Sequence, residues 1–265
     1  MIKKIKLFPN DNQKSLDIAY ILKTELENKG FIICDKEYDL GIAIGGDGSF
    51  LRMLKQNNFN SDIHYIGVNT GTLGFLQEIK PNEINDFIDK LNNKNYKLEE
   101  IGIQETKIET KDKKSMFYSL NDIVLRDKDL NTTKLNIKVD DNNLEKFVGD
   151  GILVSTSVGS TAYNMSFGGS IIYNTLHTLQ ITPIAPLNSK AYRNLLTSVV
   201  IPEDKLITFI PDKEKRNLIV TIDGENNIYN DIEKIETCVA KKKIKCLRMK
   251  DYNFINVVNE KFLKD

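Results

Sequence analysis

Ile5 and Leu7 alternate with lysines over Ile2 to Phe8, the period-two pattern of a strand with one buried face. Pro9-Asn10-Asp11-Asn12 forms a turn cluster, after which the period changes. From Gln13 to Lys29, Leu16, Ala19, Leu22 and Leu26 recur at helical spacing, and Gly30 supplies a stop. Short apolar runs at Phe31 to Cys34, Asp39 to Ile44 and Ile63 to Val68 read as strands. Ser49 to Asn57 reads as a helix, and Pro81 to Leu91 as another with Ile84, Phe87, Ile88 and Leu91 on one face. Alternating strands and helices predict a parallel sheet flanked by helices.

After Leu98 the helical pattern stops. Ile101 to Thr110, Ser115 to Leu125, Lys134 to Val139, Gly151 to Thr156, Lys205 to Ile210, Asn217 to Asp223 and Ile232 to Leu247 read as strands. Such a run predicts a separate β-rich domain. Tyr252 to Leu263 carries Phe254, Val257, Val258 and Phe262 at helical spacing, a helix suited to pack back onto the first domain. The expected architecture is α+β: an α/β N-terminal domain with a parallel sheet over 1–98, a β-rich domain over 99–250, and a returning helix over 251–265.

Composition narrows the function. A chain of 265 residues, 40% hydrophobic and 28% charged, can bury a real core and is not disordered as a whole. Lys plus Arg equals Asp plus Glu at 37 each, so no basic excess marks a general binder of nucleic acid or anionic membrane. The run Lys241-Lys242-Lys243 reads as a solvated strand edge. Cys34, Cys238 and Cys246 lack CxxC spacing and lie far from His64 and His177, so no protein metal site is expected, and the histidines read as packing or surface residues. Scattered thiols fit a reducing compartment. With no signal-like apolar run near the N-terminus and no stretch of membrane-span length, a soluble cytoplasmic protein is expected.

Chemistry concentrates in three segments. In Asp39-Leu40-Gly41-Ile42-Ala43-Ile44-Gly45-Gly46-Asp47-Gly48-Ser49, an apolar strand ends in Gly-Gly-Asp-Gly and a helix begins at once. Backbone N–H groups at a helix start attract phosphate, and glycines let a ligand approach the chain. This is neither a GxGxxG nor a Walker A loop. A carboxylate beside phosphate is repulsive unless Mg²⁺ or a role as proton acceptor compensates, so Asp47 is either a catalytic base or a plain helix cap. Arg52, five residues on, reads equally as a phosphate contact or a surface residue. The second segment, Val148-Gly149-Asp150-Gly151 through Ser157, Gly159-Ser160-Thr161-Ala162-Tyr163 and Ser166, runs from a strand into a loop dense in hydroxyls and amides. Such a loop holds ribose and phosphate, with Tyr163 against a base, or else caps a helix. In the third, Asn121 suits an adenine edge and Asp122 a ribose hydroxyl. Neighbours in a strand face opposite sides, so both contact one ligand only at a strand end or bulge.

Taken together, Gly45-Gly46-Asp47-Gly48-Ser49, Gly71-Thr72-Leu73-Gly74-Phe75-Leu76, Asn121-Asp122 and Asp150-Gly151 with Gly159-Ser160-Thr161-Ala162-Tyr163 resemble the NAD kinase family. The resemblance implies phosphorylation of the adenosine ribose 2′-hydroxyl of NAD to give NADP. ATP or polyphosphate would be the donor, with Mg²⁺. It implies Asp47 as proton acceptor, with Gly45, Gly46 and Gly48 as phosphate-binding backbone. Gly48 and Phe75 would lie by the dinucleotide, and Asn121 and Asp122 on adenine and ribose. Ser157, Thr161, Ala162, Tyr163 and Ser166 would line the NAD site, Asp150 would meet the nicotinamide amide, and Ala185 would contact the ligand through its backbone. The region around Asp223-Gly224-Glu225, otherwise a plain hairpin turn, would meet a neighbouring subunit's ligand, which implies a homodimer or homotetramer. The chain departs from the family pattern at Val148, where a basic residue is common, at Asp122, usually Glu, and after Pro186, where a Pro-His pattern is replaced. The alternatives are a lipid kinase sharing the Gly-Gly-Asp-Gly loop, and a non-catalytic dinucleotide sensor.

Overall fold

A computed structural model of the chain describes residues 2–71 and 74–264. Thr72 and Leu73, part of the glycine motif above, lie outside the described residues. The chain divides into two units, Met1–Ile101 with Lys243–Asp265, and Gly102–Lys242.

The first unit opens with β1 (Lys4–Pro9), α1 (Gln13–Asn28), β2 (Ile32–Ile33), β3 (Leu40–Gly45), α2 (Asp47–Gln56) and β4 (His64–Asn69). A 3-10 turn over Pro81–Glu83 leads into α3 (Ile84–Asn92), and β5 (Tyr96–Thr110) follows. The strands are parallel in the order β2-β1-β3-β4. Every residue of β3 is buried, so this strand is apolar throughout instead of alternating. Asn12 starts α1 by accepting the Ser15 N–H at 2.9 Å, and Gly30 ends it at φ +86°. The buried stripe of α1 is Ser15, Ile18, Leu22 and Leu26. Leu16, expected on that face, lies off the stripe and is 45% exposed. On α3 all four expected residues are buried.

The second unit continues through β6 (Lys114–Ser119), β7 (Asp122–Asp127), β8 (Thr133–Val139), β9 (Asn142–Gly149) and β10 (Gly151–Thr156). A 3-10 turn over Val158–Thr161 precedes α4 (Tyr163–Ser166). Then come β11 (Thr178–Ile184), β12 (Val199–Pro202), β13 (Ile207–Pro211), β14 (Leu218–Ile222), β15 (Glu225–Tyr229) and β16 (Ile232–Met249). One sheet runs β12-β11-β10-β7-β14-β15, all antiparallel. Across the core stand β9-β8-β13-β16, with β5 and β6 paired to one another and β5 to β16. Ile123, Leu125, Ile152 and Val154 from the first sheet meet Leu135, Ile137, Phe147 and Phe209 from the second in one apolar cluster.

The end of β16 returns to the first unit, where Lys245 and Cys246 pair in parallel with His64 and Tyr65 of β4. It is followed by α5 (Phe254–Phe262), whose Phe254 is buried and whose Phe262 ring lies 5.2 Å from that of Phe75.

Three expectations need correction. Ser115 to Leu125 is two strands broken at Leu120-Asn121, because the N–H groups there bond to the Asp223 carboxylate instead of a ladder. Strands β9, β11, β12 and β15 were not expected. The lysine run is solvated only in part: Lys241 is exposed, whereas Lys242 is half-buried with its Nζ 3.6 Å from the Tyr118 ring centroid.

Candidate functional site

In the first unit the turn from β3 into α2 places Asp47. The N-cap of α2 is Gly46, so Asp47 is the first helical residue and does not act as a side-chain cap. Its carboxylate reaches sideways to the loop after β4. Oδ2 accepts the Phe75 N–H and Oδ1 the Leu76 N–H, each at 3.0 Å. A Cβ on Gly74 would stand 2.0 Å from Oδ1, so the clamp requires glycine there. Gln77, buried, closes the arrangement from the other side by donating from Nε2 to the Gly46 carbonyl at 2.7 Å. The two glycine motifs thus hold each other through one carboxylate and one amide. Gly46 and Gly48 are exposed, and a Cβ on either would meet nothing within 4 Å, which leaves room beside their backbone. Gly45 is buried. Arg52 is exposed, its guanidinium donating to Asn10 Oδ1 at 2.8 Å. Phe75 is half-buried, with Lys261 Nζ 5.6 Å from its ring centroid as well as the Phe262 contact.

In the second unit the break between β6 and β7 places Asn121 and Asp122. The peptide groups of this turn are held on both edges. Asp223 accepts the N–H groups of Leu120, Asn121 and Asp122. Thr156 donates its hydroxyl to the Leu120 carbonyl and its N–H to the Asn121 carbonyl. The Gly159 N–H in turn donates to Thr156 Oγ1 at 3.0 Å, and a Cβ on Gly159 would stand 1.9 Å from the Asn121 carbonyl oxygen. The Gly-Ser-Thr-Ala-Tyr segment therefore packs against the Asn-Asp turn. Asp122 is 5% exposed, and burial first, then the charge of Asp223, push its carboxyl up to about 7.

The hydroxyl-rich segment divides its work. Ser157 is turned inward: its hydroxyl donates to the Leu176 carbonyl and bonds Thr178 Oγ1. Thr161 and Ala162 are half-buried, Ser166 exposed. Buried Asn164 donates to the Ser160 carbonyl and accepts from Thr182 Oγ1 at 2.6 Å, which fastens α4 to β11. Tyr163 is 43% exposed yet held, since Arg126 Nη2 donates to its hydroxyl at 3.0 Å and the Phe167 ring meets it edge-on. The Asp150 side chain lies at an exposed position, its N–H bonded to the Ile184 carbonyl at 3.0 Å. Ala185, next along, has φ +43°, a left-handed conformation that is strained for a residue with a Cβ.

Sequence reading passed over Gln77, Arg126, Thr156 and, apart from its turn, Asp223. A signal existed for Asp223 alone, as an Asp-Gly pair between two strands. The others act through contacts whose partners are remote in sequence.

Among the described residues no three acidic, His or Cys side chains gather into a metal cluster. Magnesium binds through few carboxylates and several phosphate oxygens. The donor set here, one carboxylate beside a glycine turn, fits an ion carried in on a triphosphate and does not fit a protein cage.

Residues 8–96 match the family model of the ATP-NAD kinase N-terminal domain, and residues 120–249 that of the ATP-NAD kinase C-terminal domain. An NAD kinase of Finegoldia magna is 42% identical over 270 residues, covering 98% of each chain. NAD kinase 2 of Halalkalibacterium halodurans is 32% identical, covering 91% of each. Among solved structures, yeast NADH kinase complexed with NADH superimposes with a TM-score of 0.84 at 19% identity, over 100% of this chain and 89% of that one. An Archaeoglobus fulgidus NAD kinase in complex with ATP gives 0.77 at 20% identity, over 98% of each. These two share the fold. The matches do not favour the lipid-kinase or sensor alternatives.

Proposed function

This chain belongs to the NAD kinase family, and from that premise we propose that it phosphorylates NAD to NADP with ATP, at the adenosine ribose 2′-hydroxyl. The observation that carries the reading is the Asp47 clamp. A carboxylate fixed at a helix start, beside glycines with open space next to them, suits a reaction that needs a held phosphate and a nearby proton acceptor.

A ribose hydroxyl is a poor nucleophile at neutral pH, so transfer depends on placement, charge neutralisation and removal of the proton. The open backbone at Gly46 and Gly48 donates to phosphate oxygens. Asp47 receives the hydroxyl proton. Among the described residues each of its oxygens accepts one backbone N–H, which leaves a second lone pair for this. Mg²⁺ bound to the donor supplies charge neutralisation. In the second unit, Asn121 reads the adenine edge and Asp122 a ribose hydroxyl. Tyr163, held by Arg126, offers a ring to a base, while Thr161, Ala162, Ser166, Asp150 and the Ala185 backbone complete the nucleotide contacts.

We further propose polyphosphate as an alternative donor, a homodimer or homotetramer in solution, and a cytoplasmic location. The free thiols of Cys34, Cys238 and Cys246 support the last. The test is to incubate the protein with NAD, Mg²⁺ and ATP, then with polyphosphate in place of ATP, and to follow NADP with an NADP-specific dehydrogenase. Light scattering on a sizing column gives the oligomer. Absence of NADP with either donor overturns the proposed reaction.

A further inference from the structure

Asp223 and Gly224 are the two central residues of the β14–β15 hairpin, in which Ile222 pairs with Glu225. Their φ values, +46° and +82°, are those of a left-handed turn that Asp-Gly adopts readily. The turn explains why a small polar residue stands at position 223. It does not explain where the side chain goes. The Asp223 carboxylate accepts the Leu120 N–H at 2.9 Å, the Asn121 N–H at 2.7 Å and the Asp122 N–H at 3.3 Å. Its own N–H donates to the Asp122 carbonyl at 3.0 Å. Four bonds thus tie one hairpin residue to the turn that carries the nucleotide-reading side chains. Thr156 holds the carbonyls of the same turn from its opposite edge. The backbone is fully committed, whereas the Asn121 carboxamide has no hydrogen-bond partner among the described residues. A side chain left without a partner on a backbone held from both edges is preorganised for a ligand.

We propose that Asp223 is a positioning residue for NAD recognition, fixing the Leu120-Asn121-Asp122 backbone so that the Asn121 carboxamide and the Asp122 carboxyl meet the nucleoside in one orientation. The proposal rests on the NAD kinase reading above. It also gives the Asp-Gly hairpin a role within its own subunit.

Asn and Gly both tolerate the left-handed turn. Asp223→Gly and Asp223→Asn therefore keep the hairpin, the first deleting the clamp and the second removing its charge and one acceptor oxygen. Steady-state kinetics with NAD and ATP varied separately provide the readout. The expected result is a KM for NAD raised about tenfold or more in Asp223→Gly and less in Asp223→Asn. The kcat and the KM for ATP should stay within about threefold of the parent chain. A residue that serves the fold alone would lower the active fraction, and with it kcat, without moving the KM for NAD. Unchanged KM for NAD, or kcat and both KM values shifting together, overturns the assignment. So does loss of the near-ultraviolet circular dichroism signal in both variants. If the parent chain forms no NADP, the underlying reading fails; if it forms NADP and the variants match it, Asp223 alone is misassigned.

Discussion

Asp47 stands with both carboxylate oxygens on backbone amides, so its position is fixed before any substrate arrives. Asp47→Asn keeps one acceptor for the clamp but cannot take a proton. NAD affinity by calorimetry is expected to hold while turnover falls at least about a hundredfold. Near-normal NADP formation by this variant would remove Asp47 from the chemistry. Asp122 carries a pH dependence. Burial and the nearby Asp223 charge push its folded carboxyl up to about 7, while a free aspartate titrates at about 3.9. Between the two values the folded chain retains a proton that the unfolded chain has lost. The stability this group contributes is fully present below the unfolded value, declines as pH rises, and is gone above about 7. Asp122→Asn removes the titration, so its thermal midpoint should fall less than that of the parent chain between about pH 5 and pH 8. Equal falls would show that another group is responsible. Both aspartates were legible in the sequence as candidates only, Asp47 within a glycine run and Asp122 at the head of an apolar one, where a turn before a strand is the simpler reading. The amides that hold them were not, because a backbone N–H leaves no mark in the residue code.

At the scale of elements, burial decides what a sequence reveals. The stripe on α3 was readable because Ile84, Phe87, Ile88 and Leu91 are all core residues. On β15 the residues Glu225 to Tyr229 are mostly solvent-facing at the edge of a sheet, so no alternation marks the strand. On β11 Pro183 argues against a strand, yet β12 pairs only as far as Ile181, so the missing N–H falls where that side has no partner strand. The contact between the 3-10 turn and the Asn-Asp turn depends on one missing methyl. Gly159→Ala sets a Cβ against a backbone carbonyl that is itself held by Thr156, so the strain cannot relax cheaply. A loss of about 1–3 kcal/mol is expected in urea unfolding, with weaker NAD binding. Parent-like stability and affinity together would show that the two turns can separate without cost.

Over the whole molecule, remote pairings hold what local pattern cannot specify. Arg248, near the end of β16, is buried, with Nη1 3.2 Å from Glu78 Oε2 and Nε 3.0 Å from Glu99 Oε2. Its guanidinium also lies 4.2 Å from the Tyr252 ring centroid. Arg248→Ala leaves two carboxylates buried without their cation, and a cost of about 3–5 kcal/mol is expected in denaturant unfolding. A cost under about 1 kcal/mol would mean that the pairs behave as surface ones. The sequence alone determined the alternation of strand and helix, the β-rich stretch after it, and the glycine and aspartate runs that mark the family, because these are set by neighbours along the chain. Tertiary structure alone decided that Asp47 reaches the Phe75 and Leu76 amides, that Asp223 grips Asn121, and that the long strands β5 and β16 each contribute residues to both units. The physical reason is that hydrogen-bond partners a hundred residues apart are chosen by how sheets register, and register is a property of the packed fold.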